Sequence, residues 1–282
     1  MSMQVDTSVS AAPKPRTVKS GSPLLRWLRI PKKRAALTRA VASIGFLILW
    51  ELAVRLGWVN ALFLAAPSQV AVRLYQVFAT GMIWPHLLAS GSTAFWGFLA
   101  SCVVGIPIGI LMGRSSFVRD TLEPFVIAQA SIPTVALLPL FIIWLGIGGG
   151  ARVALVFTGA VFGIIVSTEA GVSNIDERLV ETALSFTGTQ LAILQKIVLP
   201  AAVPYIIAGM RLAIARVLIM VVVAELYAAN AGIGYLIFQA GSTYDTSLIF
   251  VGVVILATAG VLMNSFLRTI EYRLAPWART KR

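Results

Sequence analysis

Six stretches of mostly apolar residues, near 38–58, 87–113, 121–145, 152–172, 203–229 and 246–267, dominate the sequence. A helix that crosses the hydrocarbon core of a bilayer needs about 20 such residues. In lipid the backbone must satisfy its own hydrogen bonds, so a span of this composition is helical. The expected fold is therefore an all-α polytopic membrane helix bundle with six transmembrane helices. Composition closes off the alternatives. Of 282 residues, 58% are apolar and 12% charged, too few charges for an exterior that faces water. A soluble enzyme and an intrinsically disordered chain are both excluded.

Residue counts exclude further chemistry. With one cysteine, Cys102, and one histidine, His86, the chain can form no internal disulfide and no His/Cys zinc set. It carries neither G-x-S-x-G nor G-x-x-x-x-G-K-[ST]. No catalytic residue, cofactor site or metal site is expected, and ATP, if it is used, is bound by another polypeptide.

Basic residues set the orientation. Of 23 Lys and Arg, 18 fall in the leader through Arg39, the 114–120 and 173–199 loops, and the tail from Arg268. Arg55, Arg73 and Arg152 remain for the other side. By the positive-inside rule both termini are cytoplasmic, which requires an even number of spans. The formal net charge of +12 is thus read as an insertion signal, and nucleic acid is not expected as a partner. The chain divides into a basic cytoplasmic tail (1–37), a transmembrane domain (38–267) and a second basic cytoplasmic tail (268–282). The first apolar stretch is expected to be a retained helix, because its basic leader is too long for a signal peptide. Leu24, Leu25, Trp27 and Leu28, interleaved with Arg26 and Arg29, read either as an interfacial segment or as a simple topology anchor. Residues 66–85 are too polar to span and are expected to lie along the outer surface.

Within the spans, Gly97, Ser101, Gly105, Gly109 and Gly113 recur every four residues, one smooth face for close helix packing. Pro107, Pro133 and Pro139 are expected to kink their helices. Glu51 and Arg55 stand four apart with Glu first, the favourable order for an ion pair. Arg211 and Arg216 are expected either to snorkel to the cytoplasmic interface or pair with Glu169, with gating or substrate contact as the alternative. Glu225 lies about 30 Å along its span from Tyr205 at 1.5 Å per residue, near the outer mouth, as part of an outer gate, as a contact for a partner protein on that side, or as a structural carboxylate. His86 is expected at the interface with no special role.

The segment 174–200, NIDERLVETALSFTGTQLAILQKIVLP, is too polar to span and too apolar for a solvated loop. It reads as two short amphipathic helices joined by a turn at Thr187-Gly188. Its apolar surface is costly unless a protein partner covers it.

The spacing of Glu181, Thr182 and Ala183, then Ile197, Leu199 and Pro200, resembles the EAA loop in inner-membrane permeases of ABC importers. Thr182 replaces the usual Ala, and Thr187 occupies the usual Gly site with Gly188 one place late. Further segments, Ile132–Leu140, Ile142–Gly148, Gly209–Arg211, Ala224–Leu226, Gly232–Ile237 and Ala66–Val70, resemble the nitrate/sulfonate/taurine/bicarbonate subgroup. The resemblance covers roughly residues 40–272. It implies a type I ABC importer permease fold in the bacterial inner membrane and a non-enzymatic transport subunit. A second, identical permease subunit is expected beside it. A separate ATPase that binds ATP and Mg would dock on the loop, and a periplasmic or lipid-anchored substrate-binding protein would deliver a small anionic solute such as a sulfonate, nitrate or taurine. Relatives moving aromatic acids or vitamin precursors keep that cargo open. An ion-driven secondary transporter and a membrane-embedded enzyme are the competing classes; the first leaves the apolar loop unexplained, and the second lacks a clustered catalytic set.

Overall fold

The computed structural model describes residues 32–60, 62–187 and 189–278. The leader, with its interfacial or anchoring segment at Leu24–Leu28, lies outside the described residues, as do Gly188 and the last four residues of the C-terminal tail. The chain falls into two units divided between Trp50 and Glu51. The first contributes most of α1 (Lys32–Arg55), in which the rings of Phe46 and Trp50 lie 6.2 Å apart.

Every regular element among the described residues is helical. From residue 51 the order is α2 (Pro67–Ala79), α3 (Ile83–Arg114), α4 (Ser116–Ser131), a 3-10 turn (Thr134–Leu137), α5 (Leu138–Leu145), α6 (Gly149–Ser173), α7 (Glu177–Thr187), α8 (Gln190–Ile193), a π turn (Leu194–Val198), α9 (Leu199–Ala228), α10 (Ile233–Ser242), α11 (Thr246–Leu274) and a closing 3-10 turn (Pro276–Ala278). Among the described residues, four helical runs are long and apolar enough to cross a membrane: α3, α6, the continuous run Gln190–Ala228, and α11. The pair 116–131 and 134–145 makes a fifth if it is one broken span. These account for five of the six expected stretches; α1 covers the first but is not among them.

The kink expected at Pro133 is present and large: the stretch 121–145 bends by 95° between α4 and the segment 134–145. Pro133 causes this: it lacks an N–H and pushes Ile132 out of the helical region, to φ −89° and ψ 124°. By contrast, α3 runs unbroken through Pro107. A further helix, α10, on which the sequence reading was silent, lies between the last two spans.

The core is built on α6, where Ala151, Leu155, Val156, Ala160 and Ile164 are completely buried. Ala94, Val156, Ala160, Ile164, Ala213, Val217 and Val221 join α3, α6 and α9 into one cluster. Apolar burial gives little drive between helices already in lipid, so close van der Waals fit must hold them. The small-residue face of α3 supplies it. A Cβ on Gly109 would stand 2.6 Å from the Thr168 Cβ and 2.7 Å from the Ile165 carbonyl oxygen, so only glycine permits this approach. Ser101, also on that face, donates to the Gly97 carbonyl at 2.7 Å and reaches the Phe157 carbonyl at 3.1 Å.

Beyond the C-terminal end of α9, α2 and α10 form a second cluster with the start of α11, through Val70, Val77, Ile83, Ile233, Leu236 and Val251. Arg73 on α2 pairs with Asp245 at 2.8 Å. Glu51 pairs with Arg55 at 2.6 Å, as its spacing predicts, and accepts from the Ser68 hydroxyl and amide at 2.7 and 3.0 Å.

Candidate functional site, the 174–200 loop and the intramembrane charges

The loop is half of what the pattern predicts. Its first helix, α7, forms as expected. The expected second helix is not separate: α8 and the π turn continue into α9 as one run from Gln190 to Ala228. Proline explains the irregular turn. Pro200 cannot bond the carbonyl of Lys196 and would clash with it in a regular α-helix. The helix widens into a π turn over Leu194–Val198 and carries on.

The amphipathic pattern of α7 divides its surface. Val180 and Ala183 pack on Val172, Ile193, Val198 and Ala202. Leu179, Leu184, Phe186 and, just beyond, Leu191 point away from that cluster and are exposed. Phe186 is 86% exposed, and no described residue covers it. Glu181 is exposed and lines a cavity of about 400 Å³ with Arg114, Arg119, Ser173 and Ile175. Arg114 donates to Gln190 at 3.0 Å, and Arg119 donates to Ser173 at 2.6 Å. Arg114 thus ties the end of α3 to the loop, and Arg119 ties α4 to the end of α6 beside it; the sequence reading had counted both only as topology charges.

The remaining loop residues fall into place around this. Thr182 is exposed and its hydroxyl donates to the Arg178 carbonyl at 2.7 Å. Thr187 closes α7. Ile197, Leu199 and Pro200 are half-buried where the π turn enters α9. Gly188, the expected turn glycine, lies outside the described residues.

The four intramembrane charges do not gather into one site. Glu169 pairs with Arg119 at 3.2 Å, not with Arg211 or Arg216. Arg211 pairs instead with Glu271 on α11 at 3.3 Å and donates to Asn264 at 2.8 Å. Pairing with Glu169, one of the arrangements expected, is not the one found: α9 turns Arg211 toward α11, whose carboxylate is 60 residues away in sequence. Arg216 has no ion-pair or hydrogen-bond partner among the described residues.

Glu225 is fully buried at the far end of α9. Its Oε2 accepts from the Ser90 hydroxyl at 2.9 Å and the Gly234 amide at 2.8 Å. Ser90 in turn accepts the Ile233 amide at 2.8 Å. The His86 Nδ1 lies 3.1 Å from the Gly232 nitrogen, placed to accept its N–H, and the ring stacks on Tyr235 at 6.3 Å. His86 thus has a role that its flanking sequence did not predict. Gly232 has φ +139°, and a Cβ there would run into the Glu225 carboxylate. Together these contacts satisfy the free amides that begin α10.

With this geometry in place, comparison with known proteins is informative. Residues 105–280 match the family described as the inner membrane component of binding-protein-dependent transport systems. The chain is 31% identical to the taurine transport system permease protein TauC of Escherichia coli K12 over 259 residues, covering 90% of this chain and 94% of that one. It is 34% identical to the aliphatic sulfonates transport permease protein SsuC of Bacillus subtilis 168 over 231 residues, covering 81% and 83%. Among solved structures, an inward-facing form of the MetNI methionine ABC transporter superposes with a TM-score of 0.56 at 22% identity, covering 68% of this chain and 94% of that one, a likeness of fold. The chain belongs to the inner membrane components of binding-protein-dependent transport systems, as a permease subunit of an ABC importer.

Proposed function

We propose that this permease moves a small sulfonate-like anion, delivered by a substrate-binding protein, and that the 174–200 loop couples it to a separate ATPase on the cytoplasmic face. A second, identical subunit completes the path. In this reading α1 is the sixth crossing and both termini are cytoplasmic. The observation that carries the coupling role is the exposed apolar face of Leu179, Leu184, Phe186 and Leu191 beside the exposed Glu181. Such a face at a charged, watery end of the protein is stabilised by a protein groove that covers it. The opposite face of α7 is packed on the foot of α9 through Ile193, Val198 and Ala202. A displacement of α7 by the ATPase therefore pushes directly on a helix that runs through the bundle, which is how a loop contact biases a two-state assembly. The sulfonate reading draws on the transport named for the taurine and sulfonate relatives.

The test is direct. Glu181→Arg and Gly188→Pro should each abolish uptake while ATP hydrolysis continues and the permease remains folded and assembled. Unchanged uptake in both variants refutes the coupling role.

A further inference from the structure

Arg216 stands apart from the other arginines of the spans. It lies 12 residues before the end of α9 at Ala228, about 18 Å at 1.5 Å per residue. The residue thus falls within a run long and apolar enough to cross a membrane, where an arginine needs compensation. Arg119 and Arg211 have carboxylates; Arg216 has none.

It is exposed and lines an open cavity of about 430 Å³ between α4, α6 and α9. The polar groups facing this space are Gln129, Thr134, Thr158 and Ser167, and no Asp or Glu is among its lining residues. The Gln129 Nε2 is buried with no hydrogen-bond partner, an amide donor without an acceptor. Such a donor is costly to leave unpaired. Phe162, Val166 and Leu212 supply an apolar wall. Gly163 opens the wall of α6: a Cβ there meets nothing within 4 Å. The volume is within the range of small-ligand sites.

We propose that this cavity binds the oxyanion head of the cargo in transit, a sulfonate or carboxylate on a short alkyl tail, with Arg216 and the Gln129 amide as its donors. A fork of guanidinium N–H groups matches such a head group, and the apolar wall accepts the tail. The proposal rests on the importer reading above and names where in the membrane an anion is held.

The experiment uses the whole transporter in proteoliposomes, with Cys102→Ser and Gly163→Cys placing one thiol in the cavity. Two thiol reagents of similar size, 2-sulfonatoethyl methanethiosulfonate (an anion) and its trimethylammonium counterpart (a cation), are compared with and without ATP. The anionic reagent is expected to label Cys at 163 at least tenfold faster. Arg216→Gln should erase the preference and Arg216→Lys should keep part of it. Equal rates with Arg216 present, a preference that survives Arg216→Gln, or no labelling in any nucleotide condition overturns the proposal. Glu181→Arg in the same background separates the two readings. If it abolishes uptake while the labelling preference is missing, the importer coupling stands and the anion site falls. If uptake persists while the preference depends on Arg216, the reverse holds.

Discussion

The two ends of the helix that runs from Gln190 to Ala228 are built differently. At its far end Glu225 is fully buried, and Ser90, Gly234, Gly232 and His86 tie α3, α9 and α10 together through hydrogen bonds and a ring stack. At its near end the helix starts with a π turn, and α7 lies against it with one apolar face packed and the other exposed. A network of buried polar groups has essentially one arrangement, because every broken bond strands a partner. A half-covered amphipathic helix has many, and takes a definite one when a partner closes over it. In the proposed coupling, the first end stays and the second is moved.

Substitutions at the two ends should therefore act on different quantities. The largest loss of stability is expected for Glu225→Leu, which strands the Ser90 hydroxyl and the Gly234 amide, about 3 kcal/mol; thermal unfolding of the purified permease in detergent measures it. Glu225→Gln keeps an acceptor and should lose less than half of that. His86→Ala removes one acceptor from the Gly232 amide and should cost about 1 kcal/mol in the same assay. Arg73→Ala breaks a partly exposed ion pair with Asp245 and should cost no more than about 0.5 kcal/mol. Phe186→Asp should change stability least, within about 0.5 kcal/mol, yet reduce uptake by the assembled transporter more than tenfold. A Phe186→Asp permease that unfolds as readily as Glu225→Leu would break the contrast.

Which parts were legible in the sequence follows from the range of the interactions. The long apolar runs needed only composition, and the Glu51–Arg55 pair only its spacing of four. The packing face of α3 was readable because its period is intrinsic to a helix. The bend at Ile132-Pro133 was only partly readable: proline marks a break without giving its angle. The short helix α10 hid in a stretch bounded by Gly232 and Thr243, too brief to stand out beside spans twice its length. Partners distant in sequence carried no signal. Nothing around Arg211 points to Glu271, nor around Glu225 to Ser90, 135 residues earlier. In the loop, amphipathicity correctly marked α7, but the following apolar run was split from its span by Pro200, which the chain absorbs as a π turn.

The central claim is that the exposed face of α7 is where the ATPase engages. A photo-crosslinking residue placed at Phe186 in the assembled transporter tests it most directly, with Phe238, another exposed phenylalanine, on α10 at the other end, as the control position. The account predicts a covalent adduct between permease and ATPase from position 186 and none from position 238. Adducts from 238 alone, or none from 186 in any nucleotide condition, would contradict it.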